Sequence, residues 1–443
     1  MIPADLLENQ NPWWRDGAAR RAREYPVRRD LQPRVLDQIQ EAENRRALVL
    51  LGPRQVGKTV LLLQLADDLL DAGWPPQNLT YFDFSDERLT GGEAVTARDI
   101  VDHRPMGTDP SHPQAFLLDE IGSSPNWDRW LKQAVDSRIG RIVVTDSAAS
   151  LLRQGSRESG QGRWNELYIE GLSFREFVRF HTSPDEGIEA PPRIEILYGR
   201  YLTLGGFPEY VLSLAVPEAL RLLRSDIAER AVERDLGRLG LDVQRVKDLF
   251  VFIVRESGGE FNVEARASDL QADPRSVRDW VSRLGDTLLI SPLERSISRS
   301  SAGLRARTKW FAADPGLVLA FARLSPEDRE VQAAVFEAAV FRHLREVSRE
   351  VDGRLSYFRH KDDLEIDFVF ETADAPSIGI EVTSSQRLRP DKLARLLKAG
   401  KILKPGRLIL VYGGLTEDWV EGVHVLPLQK FLLDPAAFLR SVR

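Results

Sequence analysis

The chain has 443 residues, 42% of them hydrophobic and 29% charged, with a formal net charge of −6. That balance fits a globular chain of roughly two to four domains and excludes a low-complexity or collagen-like one. With no cysteine in the chain, a disulfide framework, a thiolate metal site and a cysteine nucleophile are also excluded. The first ten residues, MIPADLLENQ, carry acids and no apolar signal core. No apolar run approaches the roughly 20 residues that span a bilayer. The expectation is therefore a cytoplasmic protein with no membrane partner. The small negative charge argues against general polyanion coating and leaves local basic patches open.

Residues 1–45 form an N-terminal basic and helical segment. It holds Trp13 and Trp14, then Arg15, Arg20, Arg21, Arg23, Arg28 and Arg29 against Asp16 and Glu24. Two readings stand for this basic run: a solvated helix face, or a contact with nucleic acid or a neighbouring subunit. Residues 31–45 read as a helix, with Val35, Ile39 and Ala42 near one face.

Residues 46–180 read as an ATPase core. The run 47–51, ALVLL, predicts a buried strand, and the apolar run 60–70 predicts a helix. Between them Gly52 to Thr59 fits G-x-x-x-x-G-K-[ST]. Gly52 and Gly57 let the backbone turn its N–H groups inward around phosphates, and the helix start adds partial positive charge. The candidate ATP-binding residues are Gly52, Pro53, Arg54, Gln55, Val56, Gly57, Lys58, Thr59 and Val60. Lys58 is expected at the β- and γ-phosphates and Thr59 on Mg²⁺. A second strand is predicted over 79–84. A third, AFLLDE, ends in Asp119 and Glu120, a Walker B form in which Asp119 joins the Mg²⁺ shell and Glu120 polarises water. A fourth, over 141–145, ends at Thr145, which can sit between the two motifs and sense the γ-phosphate. Helices alternating with apolar strands predict a parallel sheet covered on both faces, with its ligand at the carboxyl ends of the strands.

Further along, 155–162 (GSRESGQG) reads as a loop and 166–169 as a fifth strand, and Ser173 is expected to cap a helix over 174–180. Residues 182–192 read as a surface loop, and 181–240 as a helical lid. Residues 241–325 run helix, helix-turn-helix, strand, basic loop, strand, the order of a winged helix. Residues 265–310 hold nine basic residues against five acidic. Arg275, Arg278 and Arg283 lie on the candidate recognition helix, and Arg295, Arg299, Arg305, Arg307 and Lys309 on the wing. The DNA-binding candidates are Arg275, Arg278, Arg295, Arg299, Arg305 and Arg307; a spacer role between domains is the alternative. Residues 326–443 start with a helix bearing Glu337, followed by strands EIDFVF and IGIEVT. Alternation puts Glu365, Asp367 and Val369 on one side of their strand. Asp367 and Glu381 could together bind a divalent metal, or stand as solvated edge acids.

The ordered set GPRQVGKT, AFLLDEIG, VVTDSAASLL, GRWNELYIEGLSFREF, GGFPEYV and EIDFVF…IGIEVTS resembles a broad family of prokaryotic AAA+-like ATPases. These are fused to a winged helix and a C-terminal restriction-endonuclease-like domain of the PD-(D/E)xK type. The resemblance implies an α/β fold: a P-loop parallel-sheet core, helical lid, winged helix and nuclease-like α/β domain. It implies ATP and Mg²⁺ as cofactors; the winged-helix order, its basic excess and a nuclease-like domain whose relatives handle DNA together point to DNA as a partner. It also implies assembly into a homo-oligomeric ring, hexameric or similar, completed by a trans arginine for which Arg163, Arg230 and Arg234 are candidates. Asp367 and Glu381 match the nuclease pattern, and Glu337 matches an acid on the first helix. Thr383 stands where that pattern has lysine, and threonine cannot supply the positive charge; Lys361 or Lys392 could supply it from elsewhere. A signalling or scaffolding switch with a non-catalytic C-terminal module is the competing reading.

Overall fold

In a computed structural model the chain is described at residues 4–41, 43–89, 94–103, 105, 107–147, 162–182, 191–212, 215–227, 232–236, 241–296, 307–360 and 364–440. It divides into two compact units, Met1–Ile169 and Glu170–Arg443. No helix among the described residues is long and apolar enough to cross a membrane.

The first unit is an α/β domain. Helices α1 (Ala4–Gln10), α2 (Gln32–Gln40), α3 (Lys58–Asp71), α4 (Ala97–Asp102) and α5 (Trp127–Asp136) accompany five strands: β1 (Ala47–Leu51), β2 (Leu79–Asp83), β3 (Ala115–Asp119), β4 (Arg141–Asp146) and β5 (Trp164–Tyr168). The sheet order is β2-β3-β4-β1-β5, and every pairing is parallel. All residues of β1 and β3 are buried, as unbroken apolar runs require in a sheet covered on both faces. The five strands fall where the sequence places them, with ends shifted by a residue or two.

The outer edge of β2 is closed by side chains. The Asn11 amide donates to the Tyr81 carbonyl at 2.8 Å and accepts the Tyr81 N–H at 2.7 Å. Gln10 accepts the Asp83 N–H, and the indoles of Trp13 and Trp14 both donate to the Leu79 carbonyl. These groups satisfy an edge that would otherwise invite another strand.

The basic run 15–29 corrects one expectation, because it forms no helix. It runs along α3, and the acids of that helix hold it. Arg20 pairs with Asp71 at 2.7 Å and Arg28 with Asp68 at 2.9 Å. Buried Asp67 accepts the N–H groups of Arg21 and Ala22, and Gln64 donates to the Tyr25 and Val27 carbonyls. Much of its charge is therefore spent inside the domain.

In the second unit, helices α6 (Phe174–His181), α7 (Pro191–Leu204), α8 (Pro208–Val211), α9 (Val216–Arg224) and α10 (Val232–Leu236) precede α11 (Val243–Arg255), β6 (Gly259–Glu260), α12 (Val263–Asp269), α13 (Pro274–Asp286), β7 (Ile290–Leu293), β8 (Lys309–Ala312) and α14 (Pro315–Phe321). The long α15 (Arg329–Glu350) follows, then β9 (Arg354–Arg359), β10 (Glu365–Thr372), β11 (Ala375–Thr383), α16 (Pro390–Leu403), β12 (Arg407–Tyr412), β13 (Asp418–Val420), β14 (Val423–Pro427), α17 (Leu428–Leu433) and α18 (Pro435–Leu439). One sheet is β6-β8-β7, antiparallel; the other, β13-β14-β12-β11-β10-β9, is mixed.

Two motifs that stand out in the sequence are joints of this unit. Ser173 caps α6 in a reciprocal box with Glu176. Buried Glu170 pairs with Arg345 and Arg349 of α15, and the Phe174 N–H donates to His343 Nε2. A Cβ at Gly205 would strike the Asp314 carboxylate, which accepts the N–H of Gly206 at 2.8 Å.

A bulge between Ile366 and Val369 interrupts the pleat of β10, and both side chains enter one apolar cluster with Leu393 and Leu396. The strict alternation expected for Glu365, Asp367 and Val369 therefore fails, because an extra residue flips the remainder of a strand.

Candidate functional site

The loop between β1 and α3 has the shape its residue types dictate. A Cβ at Gly52 would lie 2.4 Å from the Ile169 carbonyl oxygen, so only glycine fits. Gly57 has φ +92° and caps α3, a left-handed conformation that glycine adopts without steric cost. Pro53 and Val56 are buried, Arg54 and Gln55 half-buried, and Val60 lies in the first turn of α3. Lys58 is 5% exposed and its Nζ donates to the Gly52 and Pro53 carbonyls, each at 3.0 Å. Its nearest carboxylate, on Glu120, is 3.9 Å away. The lysine is thus held over the loop by neutral acceptors, with its charge unmatched at hydrogen-bonding distance.

The ends of β3 and β4 face this lysine. Asp119 is 1% exposed. Burial pushes its carboxyl up to about 6, against hydrogen bonds from Thr145 and Thr59 that favour the anion. Thr145 Oγ1 donates to Asp119 Oδ1 and accepts the Glu120 N–H at 3.0 Å. One hydroxyl therefore ties both acids together. Glu120 has φ +50°, a sparsely populated conformation that costs about 1–3 kcal/mol and persists where surroundings enforce it. The Thr59 hydroxyl and Asp119 carboxylate are hard oxygen donors already in contact, a set that suits Mg²⁺.

Two contacts here escape a sequence reading. Tyr81 OH donates to Asp119 Oδ2 at 3.2 Å. Arg29, 9% exposed, donates from Nη1 to the Val56 carbonyl at 3.0 Å, tying the N-terminal strap to the loop. Neither belongs to a motif, and both partners are remote in sequence.

Arg163 sits at the opposite end of the sheet. Its carbonyl accepts the N–H of Ala47, the first residue of β1, and its side chain pairs with Asp136 at 3.0 Å. It therefore does not reach its own P-loop. Arg230 lies outside the described residues, as do Arg299, Arg305, Lys361 and most of the loop 155–162; Arg234 falls within α10. Among the DNA-binding candidates, Arg275 is exposed on α13, and Arg278 pairs with Glu264 at 2.8 Å. The Arg295 guanidinium donates to the Arg359 carbonyl, and Arg307 stands 3.8 Å from Glu260.

The second unit gathers another set of charges. Asp367 Oδ2 accepts the Val382 N–H at 2.8 Å, which brings it beside Glu381. Lys392 Nζ donates to Glu381 Oε1 at 2.8 Å, and Lys309 pairs with Glu365. Glu337 of α15 feels Asp367, Lys309, Glu381 and Lys392, and burial pushes its carboxyl well above the usual range. Glu381 is also pushed up, by burial and then by Asp367. Among the described residues no three His, Asp or Glu side chains are grouped to hold a metal ion.

Residues 44–178 match a family described as an AAA domain, whereas 196–328 and 332–431 match two families described only as domains of unknown function. An uncharacterized protein of Haemophilus influenzae is 28% identical over 282 residues, 61% of this chain and 67% of that one. An uncharacterized protein of Methanocaldococcus jannaschii is 27% identical over 167 residues, 37% of this chain and 36% of that one. Among solved structures, the Thermotoga maritima RuvB Holliday junction branch migration motor aligns at 16% identity and TM-score 0.30, covering 61% of this chain and 90% of that one. The S. cerevisiae Hsp104–ADP complex aligns at 15% and 0.32, covering 59% and 50%. Scores this low assign nothing by themselves. The parallel sheet, the loop from Gly52 to Thr59 and the match of 44–178 to an AAA domain support an AAA+-like P-loop fold for the first part of this chain.

Proposed function

We propose that the chain binds and hydrolyses ATP with Mg²⁺ at the P-loop and uses the cycle on DNA. The observation that carries the first half is Lys58, poised over the loop with no carboxylate at hydrogen-bonding distance, opposite an acid pair tied by Thr145. Lys58 would neutralise the β- and γ-phosphates, and Thr59 and Asp119 would hold Mg²⁺, which supplies charge stabilisation when bound. Glu120 would orient and polarise the attacking water, and Thr145 would report the γ-phosphate to both acids. Transition-state charge would be completed by an arginine of a neighbouring copy. Arg163, turned away from its own loop, suits that role, and a head-to-tail interface of this kind closes into a ring such as a hexamer.

The DNA half rests on the order α11, α12, α13, β7, β8 with its basic excess, which supports a winged helix across 241–325. Exposed Arg275 and Arg278 are the contacts favoured by position. In the C-terminal 326–443 part, Lys392 stands against Glu381 and could supply the charge that Thr383 lacks, which supports a nuclease-like reading of Asp367 and Glu381. The same pairing favours the second reading, a switch whose C-terminal part binds without cutting, because Glu381 and neighbouring Glu365 are already paired with lysines. Cytoplasmic location, the lid over 181–240 and the five-part division belong to this proposal too.

The test is ATP turnover with and without duplex, forked and single-stranded DNA. The expected result is stimulation by DNA, with binding that weakens steeply as salt rises. Arg275→Ala with Arg278→Ala should weaken that binding and flatten its salt slope. No binding of any DNA form at low salt would overturn the DNA half and leave the switch.

A further inference from the structure

Beside the charges already described, the second unit contains a cleft of about 960 Å³ between α11 and α15. Its volume lies within the range of small-molecule sites, about 300–1,000 Å³. Its walls are apolar at Val251, Phe252, Val331 and Ala334, and Leu324, also on the cleft, is 52% exposed. Arg255 and Arg323 line it, and Arg224 stands close enough that both neighbours lower the proton affinity of Arg255, after burial.

The bland explanation of three converging arginines is helix capping, and it accounts for part of them. Arg224 Nε donates to the Ala320 carbonyl at 2.5 Å and Arg255 Nε to the Phe321 carbonyl at 2.7 Å, at the C-terminal end of α14. Cations are favourable there. Capping uses one nitrogen of each fork and none of Arg323. No ion pair within 4.0 Å joins Arg224, Arg255 or Arg323 to a carboxylate among the described residues, although Asp248, Glu256, Glu330 and Glu337 line the same cleft. Elsewhere in this chain the charged side chains are mostly interleaved: Arg278 with Glu264, Arg283 with Asp279, Arg342 with Glu346. Arg255 and Arg323, on the cleft wall with no carboxylate within 4.0 Å among the described residues, form a pair that a multiply charged anion could bridge. Forked N–H donors match phosphate oxygens in pairs.

We propose that this cleft binds a phosphate ester, its phosphate on Arg255 and Arg323 with Arg224 behind, and its apolar body against Leu324 and Val331, the Phe252 ring being covered by the Arg266 guanidinium. The ester could come from a free nucleotide or from a nucleic-acid strand. The cleft shares Glu337 with the acid cluster and is independent of the P-loop.

The experiment uses the full chain carrying Lys58→Ala, so that phosphate binding at the P-loop does not mask the cleft. Two probes are compared: adenosine 5′-monophosphate by calorimetry, and a short fluorescein-labelled single-stranded oligonucleotide by anisotropy at low salt. Added Arg323→Ala should weaken binding of at least one probe about tenfold, and Arg323→Glu more, as loss of a charge-assisted contact predicts. Arg323 is exposed and makes no hydrogen bond to the described core, so the midpoint of thermal unfolding should not move. Loss confined to the monophosphate assigns the cleft to a free nucleotide; loss confined to the oligonucleotide assigns it to a strand. If neither probe binds the parent, or both bind the Arg323 variants unchanged, the proposal is overturned. Arg255→Lys, which keeps the charge and loses the fork, should give an intermediate loss; wild-type affinity there would contradict the phosphate geometry.

Discussion

The P-loop and the acid cluster of the C-terminal part are built from the same kinds of group, lysines and carboxylates, and are wired differently. At the P-loop, Lys58 rests on two carbonyls and stops 3.9 Å short of Glu120. In the cluster, Lys392 is bonded to Glu381 at 2.8 Å and Lys309 to Glu365. The first site keeps a cation ready for an anion from outside. The second already pairs Glu365 and Glu381 with lysines, although Glu381 Oε2 is buried without a hydrogen-bond partner, so an incoming ion or strand has to displace a pairing. Preorganised charge is what binding and catalysis of a phosphoryl group require, and only the first site has it as the chain stands.

The largest effect expected from this comparison is at Lys58. Lys58→Ala should weaken ATP binding by about a hundredfold or more, since it removes the charge assigned to the β- and γ-phosphates; calorimetry checks this. In the cluster the corresponding change should damage the fold more than function. At pH above the raised Glu381 range, Lys392→Ala strands a buried carboxylate and should destabilise the protein by about 2–4 kcal/mol, with much of the loss restored by a second change, Glu381→Gln. Chemical denaturation of the single and double variants measures this. An unaltered Lys392→Ala would mean that the pairing is loose and that the two sites are more alike than described.

The titration of Glu381 sharpens the same contrast. Burial and Asp367 push its carboxyl above the usual range, so the folded state binds a proton that the unfolded chain has released. Stability from this group is full at acid pH and is lost as pH rises from the ordinary carboxylate range through the raised value. Glu381→Gln should flatten that part of the pH profile of thermal unfolding. A smaller effect is expected at Arg29. Arg29→Ala removes one charge-assisted bond to the loop and should lower ATP affinity several-fold, with about 1.5–3 kcal/mol lost in stability. Unchanged affinity would make the strap a packing element only.

What could be read from the sequence follows the same division. The P-loop is contiguous: Gly52, Gly57, Lys58 and Thr59 fall within one turn of chain, and a short motif encodes their geometry. Asp119, Glu120 and Thr145 lie at the ends of apolar strands, and a parallel sheet brings such ends together, so they too were legible. The cluster joins Glu337, Asp367, Glu381 and Lys392 from a helix, two strands and another helix. A single bulge in β10 was enough to move Val369 off the side that alternation shares between it and the acids. The charges of 15–29 were misread for a related reason, since their partners Asp67, Asp68 and Asp71 lie some forty to fifty residues on. Trp13 and Trp14 gave no signal of their role, because an indole closing a sheet edge has no local pattern.

Lys58 is proposed to bind the phosphates and Glu120 to activate water, two roles that one pair of measurements separates. The most direct test measures ATP affinity and phosphate release side by side in the wild type and in Glu120→Gln. The amide keeps the shape and removes the base, so affinity should stay within a few-fold while turnover falls by about 10²–10⁴, the usual contribution of a positioned base. Turnover near the wild-type rate in Glu120→Gln would contradict the assignment and place the activation of water elsewhere.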